Sequence, residues 1–130
     1  MQIRIYYEDT DCGNIVYYAN YLRYMERSRT EFLRDRRIEL LKWQKKGILF
    51  VVVEANLKYR APAYYDDLLD VESTISDLSS ASVTFTTTIH RLKGPLLVQG
   101  NVRLACVDTD NHLKRIPDEI RAALQTYVGH

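Results

Sequence analysis

The run Tyr7-Glu8-Asp9-Thr10-Asp11-Cys12-Gly13-Asn14, continued by Ile15-Val16-Tyr17-Tyr18-Ala19-Asn20-Tyr21, gathers the groups in this chain best able to do chemistry. It sets two aspartates between a short apolar strand and the start of a helix. A carboxylate in that place can attack a carbonyl carbon or activate water against it, while free backbone N–H groups at the helix start hold the developing oxyanion. Two other uses of the acidic run fit less well. Phosphohydrolases that use Asp-x-Asp need a parallel βαβ sheet, whereas this chain offers consecutive antiparallel strands. A bare cation site from Glu8, Asp9 and Asp11 lacks the ligand spacing of an EF-hand loop, and no metal is expected. Cys12 is a poor nucleophile here, because the neighbouring carboxylates disfavour its thiolate.

The elements that must position this run follow from hydrophobic periodicity. Ile3, Ile5 and Tyr7 alternate with Arg4, Tyr6 and Glu8, predicting a half-buried strand over 3–7. From Tyr18 to about Arg36, Tyr18, Tyr21, Leu22, Met25, Phe32 and Leu33 keep helical spacing, with a gap at Ser28 and Arg29. Further helical sequence from Ile38 to Trp43 runs on to Gly47, a natural stop. The period then changes to two. Val51, Val53, Ala55, Leu57 and Tyr59 are expected on one face of a strand, followed by Leu69, Val71, Ser73 and Ile75 on the next. Val83, Phe85, Thr87 and Ile89 come third, then Val98, Val102, Leu104 and Cys106 after a turn at Lys93-Gly94-Pro95. Pro117 opens a last helix. Four consecutive strands, each with one polar face, predict an antiparallel sheet whose other face is covered by the one long helix.

Composition bounds the rest. At 130 residues with 46% apolar content the chain suits one domain over residues 1–130 with a single core. A formal net charge of +1 gives no global attraction to nucleic acid or to an anionic membrane. No apolar run approaches the roughly 18 residues of a spanning helix, and the N-terminal residues lack the pattern of a signal peptide, so a cytoplasmic location is expected. The two cysteines, Cys12 and Cys106, suggest neither a disulfide framework nor a metal spacing, and Cys106 is expected in the core. Charge is uneven: Arg23 to Lys46 holds nine Lys/Arg against four acids, and Asp66 to Asp77 holds five acids and no base. The basic segment is either a solvated helix face or a docking patch for an acidic partner.

Three segments together resemble the hotdog-fold acyl-CoA thioesterases, specifically the YbgC branch of the 4-hydroxybenzoyl-CoA thioesterase family. They are Tyr7-Glu8-Asp9-Thr10-Asp11-x-Gly13, Val16-Tyr17-Tyr18-Ala19-Asn20-Tyr21 and Met25-Glu26-Arg27-Ser28-Arg29-Thr30-Glu31-Phe32-Leu33. Tyr59-Arg60-Ala61-Pro62-Ala63, with Asp67, Leu69 and Val71, matches too, as does Arg115-Ile116-Pro117. The resemblance implies an α+β hotdog fold, about five antiparallel strands wrapped round one long central helix, and a homo-oligomer, dimer or tetramer, with active sites at the dimer interface. It implies hydrolysis of acyl-CoA thioesters without a further cofactor. Carried onto this sequence, the catalytic aspartate falls on Asp11 and the polarising backbone amide on Tyr18. Gly13, Asn14 and Tyr17 fall beside them. Glu26 falls on a position that contacts substrate in some aromatic-acyl members, with a helix-surface salt bridge as its plainer reading.

The residues themselves add expectations to the resemblance. Asp9 is expected to accept the Asp11 N–H in an Asx-turn and so shape the loop. Asn20 is the better N-cap by residue type, which would set the free donors near Leu22 and Arg23, whereas the family register sets the donor at Tyr18. Asn14 stands where relatives commonly have a second glycine, and asparagine tolerates a left-handed backbone. Tyr18 stands where YbgC-like members commonly have histidine; it can donate a hydrogen bond but is a poor base near pH 7. His90, His112 and His130 are read as surface or strand-end residues. A basic cluster for the nucleotide phosphates is missing at Ser76-Asp77-Leu78-Ser79-Ser80-Ala81, which makes acyl carrier protein an alternative presenter of the thioester. A non-catalytic acyl-ligand or scaffold protein is the remaining alternative.

Overall fold

In a computed structural model describing residues 1–129, the chain runs β1 (Gln2–Arg4), a 3-10 turn (Tyr7–Asp9), α1 (Asn20–Asp35), α2 (Leu40–Lys45), β2 (Leu49–Tyr59), β3 (Leu68–Leu78), β4 (Ser82–Arg91), β5 (Leu96–Val107) and α3 (Asp118–Gln125). His130 lies outside the described residues. The five strands form one antiparallel sheet in the order β1-β3-β4-β5-β2, with α1 packed on β3 and β4. This is the antiparallel sheet covered by a long helix that the periodicity predicts, and it fits the α+β hotdog fold that the resemblance implies.

The helix reaches the sheet closely because small residues sit between them. Tyr21, Tyr24, Met25, Ser28 and Leu33 of α1 are buried, a helical stripe with a serine in the middle. The gap in apolar spacing at Ser28 has a physical cause. The Ser28 hydroxyl lies 2.7 Å from that of Ser73, which lies 2.8 Å from that of Thr87, a chain of hydroxyls linking α1, β3 and β4. Further along, a Cβ at Gly100 would stand 2.8 Å from the Met25 Cε, so a larger residue there would push the Met25 side chain aside where β5 passes under that turn of the helix.

The interior divides in two. Tyr21, Tyr24 and Met25 pack with Ile3, Ile5, Leu69 and Ile89 at one end. Leu33 and Ile38 pack with Phe85, Leu104, Ile120 and Leu124 at the other. The second cluster departs from the expectation that one helix covers the sheet: α3, amphipathic through Ile120 and Leu124, seals the far half. Cys106 is buried there as expected.

Three boundaries differ from the periodic reading. The first strand stops at Arg4 and Tyr7 is 73% exposed rather than on the buried face, because the Tyr6 N–H donates to Asp9 Oδ2 at 2.7 Å and turns the chain. The long helix starts at Asn20, two residues later than Tyr18. In β2 a bulge between Val52 and Glu54 shifts the alternation. Phe50 and Val52 therefore pair with the buried Cys106 and Leu104 and share their face, while Ala55, Leu57 and Tyr59 stay on it as expected. The stop at Gly47 holds, with φ +84° just past α2.

Candidate active site

The acidic run folds as a small loop docked on the start of α1. Thr10 and Val16 pair as an antiparallel bridge, the Asp11 N–H donates to Ile15 O at 2.9 Å and the Asn14 N–H donates to Asp11 O at 3.1 Å. Asn14 takes φ +63°, the left-handed conformation its residue type allows. The loop is shelved on the Ala-Pro-Ala segment: the Val16 N–H donates to Ala63 O at 2.9 Å, and Ile15 bridges Tyr64. Arg91 fixes that shelf, its Nε 3.1 Å from Asp67 Oδ2 and its guanidinium donating to Pro62 O at 3.1 Å. The second resembling segment therefore holds the first in place.

The two aspartates divide their work differently from the expected Asx-turn. Asp9 Oδ2 accepts the Tyr6 N–H, behind it in the chain, and the Asp11 N–H goes to Ile15 instead. The Asx-turn belongs to Asp11, whose Oδ1 accepts the Gly13 N–H at 2.8 Å. That bond fixes the carboxylate's orientation, and among the described residues Asp11 Oδ2 makes no hydrogen bond. A Cβ at Gly13 would stand 3.2 Å from Asp11 Oδ1, a tight contact that would press on the oriented carboxylate.

Asn20 is not an N-cap. Ala19 holds the cap position without a side-chain bond, and Asn20, 9% exposed, donates its Nδ2 to Asp9 O at 2.9 Å. The same carbonyl accepts the Tyr17 N–H at 2.9 Å. Two bonds to one carbonyl clamp the loop to the helix start, a role sequence reasoning missed because a buried asparagine looks the same as a capping one. The Leu22 N–H donates to Ala19 O at 3.2 Å, so the donor expected near Leu22 is occupied. Among the described residues, the N–H groups of Tyr18 and Ala19 make no hydrogen bond. Open donors therefore stand at the position that the family register indicates.

Aromatic rings wall this end. Tyr17 and Tyr18 lie 5.0 Å apart by ring centroids, Tyr18 meets Tyr59 edge-on at 6.2 Å, and Tyr59 lies 5.7 Å from Tyr21. Tyr18 is 61% exposed. The Tyr21 hydroxyl accepts the Ala63 N–H at 3.2 Å. The buried Tyr24 hydroxyl makes no hydrogen bond among the described residues. Burial first, then the Asp9 carboxylate, raises its pKa; burial also raises that of Tyr21 and, with Tyr18 beside it, that of Tyr59.

The structure sets Asp11, Gly13 and Asn14 on one loop, with Tyr17 and Tyr18 at the helix start that the loop docks on, and leaves Glu26 apart. Glu26 is exposed two turns along α1, where its Oε1 accepts the Thr30 hydroxyl at 3.2 Å at the mouth of a separate cavity, and it makes no salt bridge among the described residues. His90 is half-buried on β4, and His112 is exposed, 3.6 Å from Asp108. Neither reaches the loop in the described contacts.

Comparison with known proteins shows the family. A family model described as the thioesterase-like superfamily matches residues 6–124. The chain is 38% identical over 106 residues to "Acyl-CoA thioester hydrolase YbgC" of Escherichia coli, covering 82% of this chain and 79% of that protein. It is 37% identical over 124 residues to "Acyl-CoA thioesterase YbgC" of Haemophilus influenzae, covering 93% and 90%. Among solved structures, a hypothetical protein from Thermus thermophilus superposes with a TM-score of 0.92 at 31% identity, covering 98% of this chain and 97% of that one.

Proposed function

The chain belongs to the thioesterase-like superfamily as a YbgC-type hotdog acyl-CoA thioesterase, and from that premise we propose that Asp11 and the Tyr18 backbone amide carry out the hydrolysis. The single observation behind this is the pairing of a carboxylate held by one oxygen with unpartnered N–H donors at a helix start. The thioester carbonyl oxygen accepts the Tyr18 N–H. Asp11 Oδ2 then acts on the carbonyl carbon, directly or through a water whose proton it removes, and negative charge grows on the oxygen facing Tyr18. Collapse of the tetrahedral species breaks the carbon–sulfur bond and releases the CoA thiolate, which takes the proton that Asp11 removed from the water. On direct attack the thiolate takes its proton from solvent, and the acyl group stays on Asp11 as a mixed anhydride until a water hydrolyses it to the free acid. A thioester is reactive enough that one oriented carboxylate and one oxyanion donor suffice, without a triad. Tyr18, in place of the histidine common in relatives, supplies an aromatic wall. Trapping a mixed anhydride with hydroxylamine distinguishes direct attack from water activation.

The same reading includes a second copy. β2 is an eleven-residue edge strand with Val52 and Val53 each 51% exposed, an open ladder that natural sheets rarely leave uncovered. α1 and β2 run in opposite senses, Tyr18 and Tyr21 lying beside Tyr59, and Arg29 and Leu33 beside Phe50. Two copies paired antiparallel along β2 therefore set the Asp11 loop of each beside the Glu26 and Phe50 region of the other. Glu26 joins the site only across that interface. Exposed Arg23, Arg27, Lys42 and Lys45 are available to an acidic carrier, and rates on matched acyl-CoA and acyl-carrier substrates decide between presenters.

The test is Asp11→Asn assayed on a preferred acyl-CoA found by screening short, long and aromatic acyl groups. Turnover should fall by about 10²–10⁴, the range of a lost general base, with melting unchanged. Wild-type turnover in this variant would reject the assignment.

A further inference from the structure

Tyr21 and Tyr24 stand one turn apart on the buried face of α1, their rings edge-on at 6.1 Å, and reach opposite ends of the loop that carries Asp11. Tyr21 takes the far end. Its hydroxyl accepts the Ala63 N–H, and the Ala63 carbonyl accepts the Val16 N–H at 2.9 Å, where the loop closes. Tyr24 stands at the near end, with Asp9. The two line one cleft of about 340 Å³ together with Arg4, Glu8 and Arg27, and the Arg27 guanidinium lies 5.8 Å from the centre of the Tyr24 ring.

Tyr24 is 1% exposed, and its hydroxyl makes no hydrogen bond among the described residues. A buried hydroxyl without a partner is costly, so native structures leave few of them and each calls for an acceptor. Asp9 has one to offer. Its Oδ2 accepts the Tyr6 N–H and its backbone carbonyl accepts Asn20 and Tyr17, but its Oδ1 makes no hydrogen bond among the described residues. Burial does most to raise the Tyr24 pKa, and the Asp9 carboxylate comes next, so Asp9 is the anion that the phenol senses. A carboxylate turns about a soft torsion, and a small rotation brings Oδ1 onto the hydroxyl.

We propose that Tyr24 is a positioning residue for the hydrolysis: its hydroxyl donates to Asp9 Oδ1 and fixes the loop two residues ahead of Asp11. The bond adds a side-chain anchor to a backbone already clamped at the Asp9 carbonyl. Without it the Asp9 carboxylate keeps only the Tyr6 N–H, and a shift at Asp9 passes through the Thr10 bridge to the carboxylate that meets the thioester. The effect on turnover rests on Asp11 being the reacting group; the hydrogen bond itself does not.

Two measurements separate those parts. Tyr24→Phe deletes one oxygen and keeps the packing. By denaturant unfolding it should raise the unfolding constant about tenfold in the native background, the worth of a charge-assisted bond. In an Asp9→Ala background, where the hydroxyl has lost its acceptor, the same change should leave that constant unchanged or lower it. On a preferred acyl-CoA, Tyr24→Phe should lower kcat about three- to tenfold per folded molecule with KM unchanged, and should add nothing to the loss in Asp9→Ala. Asp9→Asn, whose amide keeps an oxygen for the Tyr6 N–H and offers an N–H to the phenol oxygen, should recover part of what Asp9→Ala loses. A Tyr24→Phe protein with native kcat overturns the proposal. So does equal destabilisation by Tyr24→Phe in both backgrounds, or a KM that rises while kcat holds. Full turnover in Asp11→Asn would sink the reading of the reaction and leave the coupling of Tyr24 with Asp9 in unfolding as it is.

Discussion

The two ends of α1 are built on opposite principles. At its N-terminal end, backbone and side-chain hydrogen bonds hold a loop whose carboxylate and nearby N–H donors stay open, with Tyr17, Tyr18 and Tyr59 exposed around them. Toward its C-terminal end, Leu33 and the following Ile38 are sealed with α3 by apolar burial, and Arg36 lies over the rings of Phe32 and Tyr127 at 3.4 and 4.1 Å. One end keeps polar groups unsatisfied and available; the other leaves little for a reactant to engage beyond the cavity mouth. Catalytic capacity and stability are thus largely separable along a single helix, which a substitution at each end can check.

The largest effect should appear on turnover at the N-terminal end, where Asp11→Asn removes the reacting oxygen and spares the core. Its counterpart is Leu124→Ala. Truncating this fully buried side chain should cost about 2–5 kcal/mol by denaturant unfolding, while turnover per folded molecule stays near native. Equal damage to activity from the two variants would break the contrast. Asn20→Ala crosses it: the Asp9 carbonyl keeps the Tyr17 N–H and loses the side-chain amide, so stability should fall by about 0.5–1.5 kcal/mol. Because Asn20 positions Asp11 without touching substrate, kcat should fall while KM holds. An unchanged kcat would make Asn20 merely structural.

pH sharpens the same contrast. Tyr21, Tyr24 and Tyr59 line the N-terminal half, and all three have pKa values raised above the ordinary 10.0. A raised folded-state pKa means that the folded protein holds the proton more tightly than the unfolded chain. Their contribution is therefore complete below pH 10 and is lost as pH rises through the folded values. Unfolding midpoints measured from pH 8 to pH 12 should fall in the upper part of that range, and by less in a Tyr24→Phe variant. The smallest effect belongs to Asn14→Gly, which keeps the left-handed turn available and should shift stability by a few tenths of a kcal/mol with activity retained.

Much of this plan is legible in the sequence because its signals are local. Period-two runs mark β3, β4 and β5, and the spacing of Tyr21, Met25 and Leu33 marks α1. The left-handed turn at Asn14 follows from residue type. What the sequence hides is non-local or turns on one residue. Val53 is an ordinary valine whose place in a bulge depends on pairing with β5, and it reverses the faces of Val51 and Val52. Ser28 and Arg29 look like a fault in a helical stripe until Ser73 and the cavity are placed beside them. Two aspartates two residues apart carry the same local signal for an Asx-turn, and only the Tyr6 N–H and the bridge from Thr10 to Val16 separate them. Asn20 carries the local signal of a cap, while its true acceptor lies 11 residues back in the chain.

The central claim is geometric: the carbonyl oxygen sits on the Tyr18 amide while the carbonyl carbon faces Asp11. A crystal structure of the protein with a nonhydrolysable ketone analogue of a preferred acyl-CoA tests it directly. The account predicts the ketone oxygen about 2.7–3.1 Å from the Tyr18 backbone nitrogen, with Asp11 Oδ2 the nearest carboxylate oxygen to the carbonyl carbon. A ketone oxygen bound away from the Tyr18 amide, or a carbonyl carbon beyond the reach of Asp11 and of a water held by it, would contradict the account.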